Sequence, residues 1–596
     1  MRNVNKFLSL FLVLLCVLLP MAACSSHEEN AGSGEERLTE RDYYIVTYEN
    51  SENGRIEGTL VQNVKKGGST SNVTAIADDG YIFVGWSDGR TVATRHDAYV
   101  TADITVHPVF KKKGSVFTVT YQLERDGITI KKETIKGYAG QMINYTAPEP
   151  SIAYELVWSD SKSENERHDS ALLDGTVIVG EYRPIPFEAP IITINTDSGE
   201  DITSKREYVS CKVGVSNTDN ENCFESVSAK IRGRGNSSWD HHDKKSFRIK
   251  FDKKRSMLGS DYKSKSWTLI ANHADGTLSR NALAYELSSR LDDIAFTTTH
   301  KYVEVFLNGK YNGTYLLCDQ IQTGKGRVDV EEKLTGDPNT GYFILLDSRA
   351  SWDGVEDLNY FTLSNDRPEK QYDMRTPDPD DPAYDPNVYM KYIQNYMNEA
   401  LAALSSGDWN EICRFIEPDT FADVYIINEL FFNIDCGQLS FYFYKAKDGK
   451  LCCGPVWDFD LSLGNSHYGP IHGDFNPPDA DIQKSGKLWA AEQNTWFRRL
   501  LRTDEFREIV KGKLKKYDSV IKDIIALADV ENENGYYNVY KKAINRNFER
   551  WNILGQYVWP NPEEVYKLDS VEKHFRFAHD WINKRYEIIK KYYEIQ

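Results

Sequence analysis

Asp435 and Asp458 stand in two apolar strings, NELFFNID (428–435) and GPVWDFDLSLGN (454–465), with FYFYKAKDGKLCCG between them. A carboxylate in such a context is costly to desolvate unless a cation or a hydrogen-bond donor meets it. The segment FYFYKAKDGKL predicts a strand, a tight turn at Asp448-Gly449 and a second strand. A hairpin carries the chain out and back, so the two acids can face one another across a small site. Carboxylates so placed suit a general base beside a hard, oxygen-seeking cation.

Protein kinases place one acid ahead of a hairpin and a metal-binding Asp-Phe-Gly just after it. Here Asp-Phe is followed by Asp460, and no His-Arg precedes Asp435. Phosphoryl transfer also needs positive charge on the triphosphate and a group that aligns the acceptor hydroxyl. RGRGNSSW (232–239) offers glycines for close backbone approach, flanked by Arg232 and Arg234; its plain alternative is a hairpin turn. KKSFRIKF (244–251) alternates, which puts Lys244, Ser246, Arg248 and Lys250 on one strand face and Lys245 with Phe247 and Ile249 on the other. Lys245 is therefore the expected buried, phosphate-facing lysine, with Lys250 as the competing choice. HADGTLSRNALAYELSSRL (273–291) predicts a helix whose first turn carries Arg280 and Asn281, where an anion is favoured. Glu286, further along, is a candidate partner for the strand lysine. Ser440 stands where kinases carry a second metal-binding Asn. DFDLSLGN read as a calcium loop has Phe and two Leu that do not suit an exposed loop, a glycine one place late, and Gly469 where a Glu is required.

RGRGNSSW, KKSFRIKF, SRNALAYEL (279–287), VEVFLNGKYNGTYLL (303–317) and VWDFDLSLGN together resemble the spore-coat protein H (CotH) kinase family. The resemblance spans roughly residues 190 to 595. It implies an atypical, secreted, ATP-dependent kinase domain with a β-rich N-lobe and a helical C-lobe. On that resemblance Asp435 accepts the proton of a Ser or Thr hydroxyl. Asp458, joined by Asp460, binds Mg²⁺ or Mn²⁺; Arg232, Arg234, Lys245, Arg280 and Asn281 bind the nucleotide.

The ends and the overall charge narrow the setting. Arg2 and Lys6 precede the apolar run FLSLFLVLLCVLLPMA, which ends in Met21-Ala22-Ala23-Cys24. That is the pattern of a bacterial lipoprotein signal (1–23) with lipidation at Cys24, and it predicts a membrane-held protein facing away from the cytoplasm. A polar tether (24–42) follows. The formal charge of −17 argues against a nucleic-acid partner and weakly favours a basic, Ser-rich protein acceptor. Cys211 and Cys223 are candidates for a local bridge.

Two β-rich segments, 43–112 and 115–184, repeat one unit: Thr47 answers Thr120, and Trp86 answers Trp158. The first is similar to the internalin-type B repeats, small β-grasp-like modules; the second has drifted and lost its Gly-Trp pair. Trp86 and Trp158 read as core, with a ligand platform as the alternative. The expected architecture is α+β: two small β repeats, then one kinase-like domain over 190–596.

Overall fold

The computed structural model describes residues 42–595 apart from 126, 149–153, 170–173, 185 and 352–358. The expected signal peptide, Cys24 and nearly all of the tether lie outside the described residues. Among those described, no helix is long and apolar enough to cross a membrane. The chain divides into two compact units. One runs to Ala147 and takes in Trp158–Gly180; the other is Pro148–Val157 with Glu181–Gln596.

The first unit holds the first repeat and most of the second, and each repeat is built around one buried arginine. In the first, Arg95 donates to Asp97 at 2.7 Å and, through both terminal nitrogens, to Asp88 at 3.0 Å. Its guanidinium lies 4.9 Å from the Trp86 ring centroid, and the Tyr48 hydroxyl donates to Asp97 at 2.7 Å. The second repeats every contact. Arg167 donates to Asp169 at 2.8 Å and to Asp160 at 2.9 and 2.8 Å. It lies 4.7 Å from Trp158, and Tyr121 donates to Asp169 at 2.7 Å. A guanidinium taken out of water needs such full pairing, since removing one partner strands a charge. Trp86 and Trp158, 0% and 1% exposed, are core residues rather than ligand platforms. The second segment thus keeps the first one's interior although its sequence has drifted.

The second unit opens with a closed barrel of seven strands: β1 (Ile191–Thr196), β2 (Val209–Ser216), β3 (Phe224–Arg234), β4 (Ser246–Arg255), β5 (Ser264–Ile270), β6 (His300–Leu307) and β7 (Lys310–Asp319). The order is β1-β2-β3-β4-β5-β7-β6, closed by parallel pairing of β1 with β6. Alternation fills the interior with Ile194, Val213, Ile231, Ile249 and Leu269. The connection from β3 to β4 contains a short helix, Ser237–His241, so RGRGNSSW is more than a hairpin turn. Trp239 of that helix packs directly on the Gly233 Cα, where any Cβ would collide with the ring.

Between β5 and β6 runs helix α1 (Arg280–Ser288), shorter than the sequence pattern suggested. Its start is fixed by Asp275, whose carboxylate accepts from the Arg280 and Thr277 amides at 2.9 Å. The rest of the unit is helical, around a second sheet of five strands in the order β9-β10-β8-β11-β12. Its members are β8 (Tyr342–Leu346), β9 (Tyr360–Phe361), β10 (Tyr372–Thr376), β11 (Phe441–Lys445) and β12 (Leu451–Cys453). β11 and β12 are the expected hairpin, but β11 also pairs with β8.

Helix α2 (Pro418–Phe431) is buried almost throughout and leads to Asp435. Helix α3 (Tyr536–Arg550) covers one side of the barrel: Arg546 forms two bonds of 2.8 and 2.7 Å to buried Glu304 of β6. Helix α4 (Val571–Tyr592) brings Arg585 onto α2, where it meets Glu429 at 3.0 Å and Asp481 at 2.8 Å. Cys211 is buried, Cys223 is exposed, and neither is bonded to another cysteine.

Candidate active site

Asp435 lies four residues beyond α2, in a turn rather than at the helix end. The helix stops at Phe432, in the left-handed region at φ 50°. Asn433 then caps the new turn: its side chain accepts from the Asp435 amide at 3.1 Å and donates to Asn428 at 3.0 Å. The Asp435 carbonyl accepts from Gln438 and Leu439 at 2.9 and 3.1 Å. These bonds use the backbone and Asn433, so the turn is held without the Asp435 carboxyl oxygens being spent.

Asp458 follows β12 at a φ of 69°, uncommon for a residue with a side chain. Two contacts hold this turn. The Phe459 amide donates to the Asn281 side chain at 2.7 Å, and Ser440 donates to the Asp458 carboxylate at 3.1 Å. Arg280 ties down the remainder through Ser462 O at 3.0 Å, while its guanidinium is paired with Asp275. Asn465 donates to Asp460 O at 2.7 Å.

Asp435, Asp458 and Asp460 line one cleft of about 590 Å³, with Asp347, Arg349, Arg234 and Arg375. Burial and then the neighbouring Asp458 push the Asp435 carboxyl up to about 7. Burial followed by Asp458 and Asp435 pushes Asp460 well above the usual range. Acids crowded in this way suit an added cation, and a carboxyl near neutrality suits proton transfer. Aromatic surfaces, Trp457, Trp489, Trp559 and Tyr468, form other parts of the wall.

Next to the cleft, and sharing Arg234, Gly235, Asn236 and Arg375 with it, is a hollow of about 310 Å³. It is lined by Lys205, Arg206, Arg232, Arg234, Arg248 and Arg375, and among the described residues by no acid. Arg232 and Arg248 are directly opposed across β3 and β4. Burial lowers the Arg248 pKa; Tyr208 opposes the shift and the arginines at 232, 234 and 327 add to it. The Nε atoms of Arg232 and Arg248 have no partner among the described residues. A wall of this kind is built for an anion.

The nucleotide-binding set expected from the sequence divides. Arg232 and Arg234 reach this wall. Lys245 lies ahead of β4, half-buried, donating to Trp239 O at 2.5 Å, and lines neither hollow. The alternation itself holds, but Phe247 and Ile249 fill the barrel interior while the opposite face is covered by other elements. Lys244, expected in solvent, is buried beneath α3, donating to Ala271 O at 2.8 Å and Asn547 at 2.7 Å. Desolvation pushes its ammonium well below the usual value. Arg280 and Asn281 are fully buried and line no part of the cleft; they position the Asp458 turn instead. Glu286 pairs with Arg290, not with a strand lysine.

Sequence reasoning missed Arg248, Asp347, Arg349 and Arg375. Asp347 and Arg349 could have been found: YFILL (342–346) is a wholly apolar strand that ends directly in Asp-Ser-Arg. Ser348 N also donates to Gln438 O at 2.9 Å, fastening this segment to the Asp435 turn.

Among the described residues no group of three or more His, Cys, Asp or Glu is placed to hold a metal ion. Mg²⁺ commonly takes one or two carboxylates and completes its shell with water and phosphate oxygens, so Asp458 and Asp460 fit such an ion when nucleotide is bound.

The family model described as CotH kinase protein matches residues 231–589, more than half of the chain. The chain belongs to the CotH kinase family. Residues 44–114 match the divergent InlB B-repeat domain. No curated protein matches the chain. Among solved structures it is similar to the Helicobacter pylori proinflammatory kinase CtkA, at 10% identity, covering 65% of this chain and 98% of that one. The TM-score is 0.18, too low to carry an argument. The CotH match takes in Arg232, Arg234, Asp435, Asp458 and Asp460. It begins within β3, so the first two barrel strands lie outside it.

Proposed function

We propose that this chain is an extracytoplasmic atypical protein kinase that moves the ATP γ-phosphate to Ser or Thr hydroxyls of secreted or surface proteins. The observation that carries the reading is the meeting of Asp435, Asp458 and Asp460 in one cleft beside a wall of arginines. The barrel and the helical portion take the parts of the two kinase lobes. Arg232, Arg234 and Arg248 hold the phosphates, and the aromatic wall receives the base. A divalent cation on Asp458 and Asp460 would neutralise phosphate oxygens. The acceptor oxygen attacks the γ-phosphorus, its proton passes to Asp435, and the bond to the β–γ bridging oxygen breaks to release ADP.

Lipid attachment at Cys24 would hold the protein on the outer side of the cell membrane, with the β repeats as spacers. A Cys24→Ala form that stayed processed and membrane-bound would remove that part of the proposal.

Ser440 favours a second reading. It occupies the expected second metal-ligand position, yet its hydroxyl is turned to Asp458. A scaffold that binds nucleotide without transferring phosphate fits that arrangement. Incubation with γ-labelled ATP, Mg²⁺ or Mn²⁺ and a panel of Ser/Thr proteins, beside Asp458→Ala, separates the two. Label on protein that vanishes in the variant supports the kinase. Nucleotide binding without transfer supports the scaffold.

A further inference from the structure

A second positively charged surface lies outside the cleft. A hollow of about 830 Å³ on β4, β5 and the segment after β7 is lined by Lys250, Lys254, Lys263, Lys265 and Lys325, against a single acid among the described residues, Asp261. All five lysines are exposed, and none forms an ion pair with a described residue. Arg327 stands in the wall, 4% exposed; Asp319 holds its Nη2 at 3.0 Å, and its Nη1 has no partner among the described residues. In a chain of net charge −17 such a concentration is self-repelling unless something negative covers it.

The position is informative. Arg248 lines both this hollow and the arginine wall, and that wall shares four residues with the carboxylate cleft. The cations therefore form a continuous track leading from the Asp435 site onto the side of the barrel. Their type changes along it. Arginines, whose planar forks match phosphate, crowd near the cleft. Beyond Arg248 the exposed groups are lysines, separate point charges on flexible stems, suited to carboxylates spaced along an extended chain.

We propose that the lysine track docks an Asp- and Glu-rich segment of the protein acceptor flanking the hydroxyl to be phosphorylated. This rests on the protein-kinase reading and specifies its substrate. It reverses the basic, Ser-rich acceptor expected from total charge, because the net charge describes the average surface and the track describes the face beside the site.

The test replaces Lys254, Lys263, Lys265 and Lys325 with Ser together in the mature chain, all being exposed positions. Three peptides share one Ser-centred core, flanked by Glu, by neutral residues or by Lys; an alanine-for-serine form of the acidic peptide reports binding by fluorescence anisotropy. The wild type is expected to favour the acidic peptide, increasingly so at low salt. The variant raises the KM for that peptide by roughly tenfold or more, leaving kcat and the Mg-ATP Kd unchanged. Preference for the basic peptide, or a variant indifferent to the acidic one, overturns the proposal. So does a fall in ATP affinity, which assigns the hollow to the nucleotide, or tighter binding of poly(glycerol phosphate) than of acidic peptide. If the wild type phosphorylates none of the peptides, anisotropy still decides: binding of the acidic form that the variant loses upholds the track, and the kinase reading falls alone.

Discussion

The side chain of Asn281 accepts the backbone amide of Phe459 at 2.7 Å, one residue after Asp458 turns through its left-handed conformation. A residue in the first turn of α1 thereby sets the direction of an acid far away in the sequence. Asn281 itself is held by Asn272 at 2.9 Å and by the Tyr285 hydroxyl at 3.2 Å.

Asn281→Ala should leave a buried amide unsatisfied and free the Asp458 turn. The expected stability loss is about 1–3 kcal/mol. Affinity for metal-nucleotide should fall with it, although Asn281 touches no ligand. Urea unfolding and calorimetry with Mg-ATP check this, and a fully stable variant with unchanged affinity would show that Ser440 alone suffices.

Asp435 and Asp458 should separate by role. Asp435→Asn keeps the shape of the turn and should leave Mg-ATP binding near normal, with turnover reduced about 10²- to 10⁴-fold. Asp458→Ala should weaken both binding and turnover. Equal loss of binding in the two variants would mean that both acids serve the cation.

The arginine wall predicts a contrast with Lys245. Arg248→Gln or Arg232→Gln should each weaken ATP binding, at about 1.5–3 kcal/mol per charge-assisted contact, and should affect adenosine little. Lys245→Ala should leave ATP affinity unchanged, because its ammonium is committed to Trp239 O. Calorimetry with ATP and adenosine distinguishes a phosphate role from general damage.

Glu429 supplies a pH dependence away from the cleft. Burial is the main cause that raises its carboxyl from 4.5 to about 7, with Arg585 opposing and Asp481 adding to the shift. A raised value in the folded state favours the protonated form. The stabilising contribution is thus fully present below about 4.5 and is lost as pH rises through about 7. Urea midpoints should decline over that window by an equivalent of order 1–3 kcal/mol, and Glu429→Gln should flatten the decline.

The acids were legible because each stands in an apolar string, where a charge has no structural excuse. The hairpin was legible from its turn residues. The cations were harder. Strand alternation correctly placed Lys245 opposite Lys244, but period alone does not say which face of a barrel strand another element will cover. In this fold the interior takes Ile249, and α3 covers Lys244 from outside. Arg280 and Asn281 were found for the wrong reason. Their place at a helix start suggests an anion, whereas Arg280 pairs with Asp275 and Asn281 holds the Asp458 turn. Such partners are far apart in sequence, and no local pattern announces them.

The paired interiors of the two repeats have a consequence for recognising such modules elsewhere. Trp86, Asp88, Arg95 and Asp97 have the same spacing as Trp158, Asp160, Arg167 and Asp169, within W-S-D-x6-R-H-D in both copies. The residues between them differ in the two copies, but these four positions constrain one another. Loss of the arginine, or of Asp97 or Asp169, leaves a buried charge short of its counterpart. A search keyed to W-x-D-x6-R-x-D should therefore recover copies whose remaining sequence has drifted, as that of the second copy has.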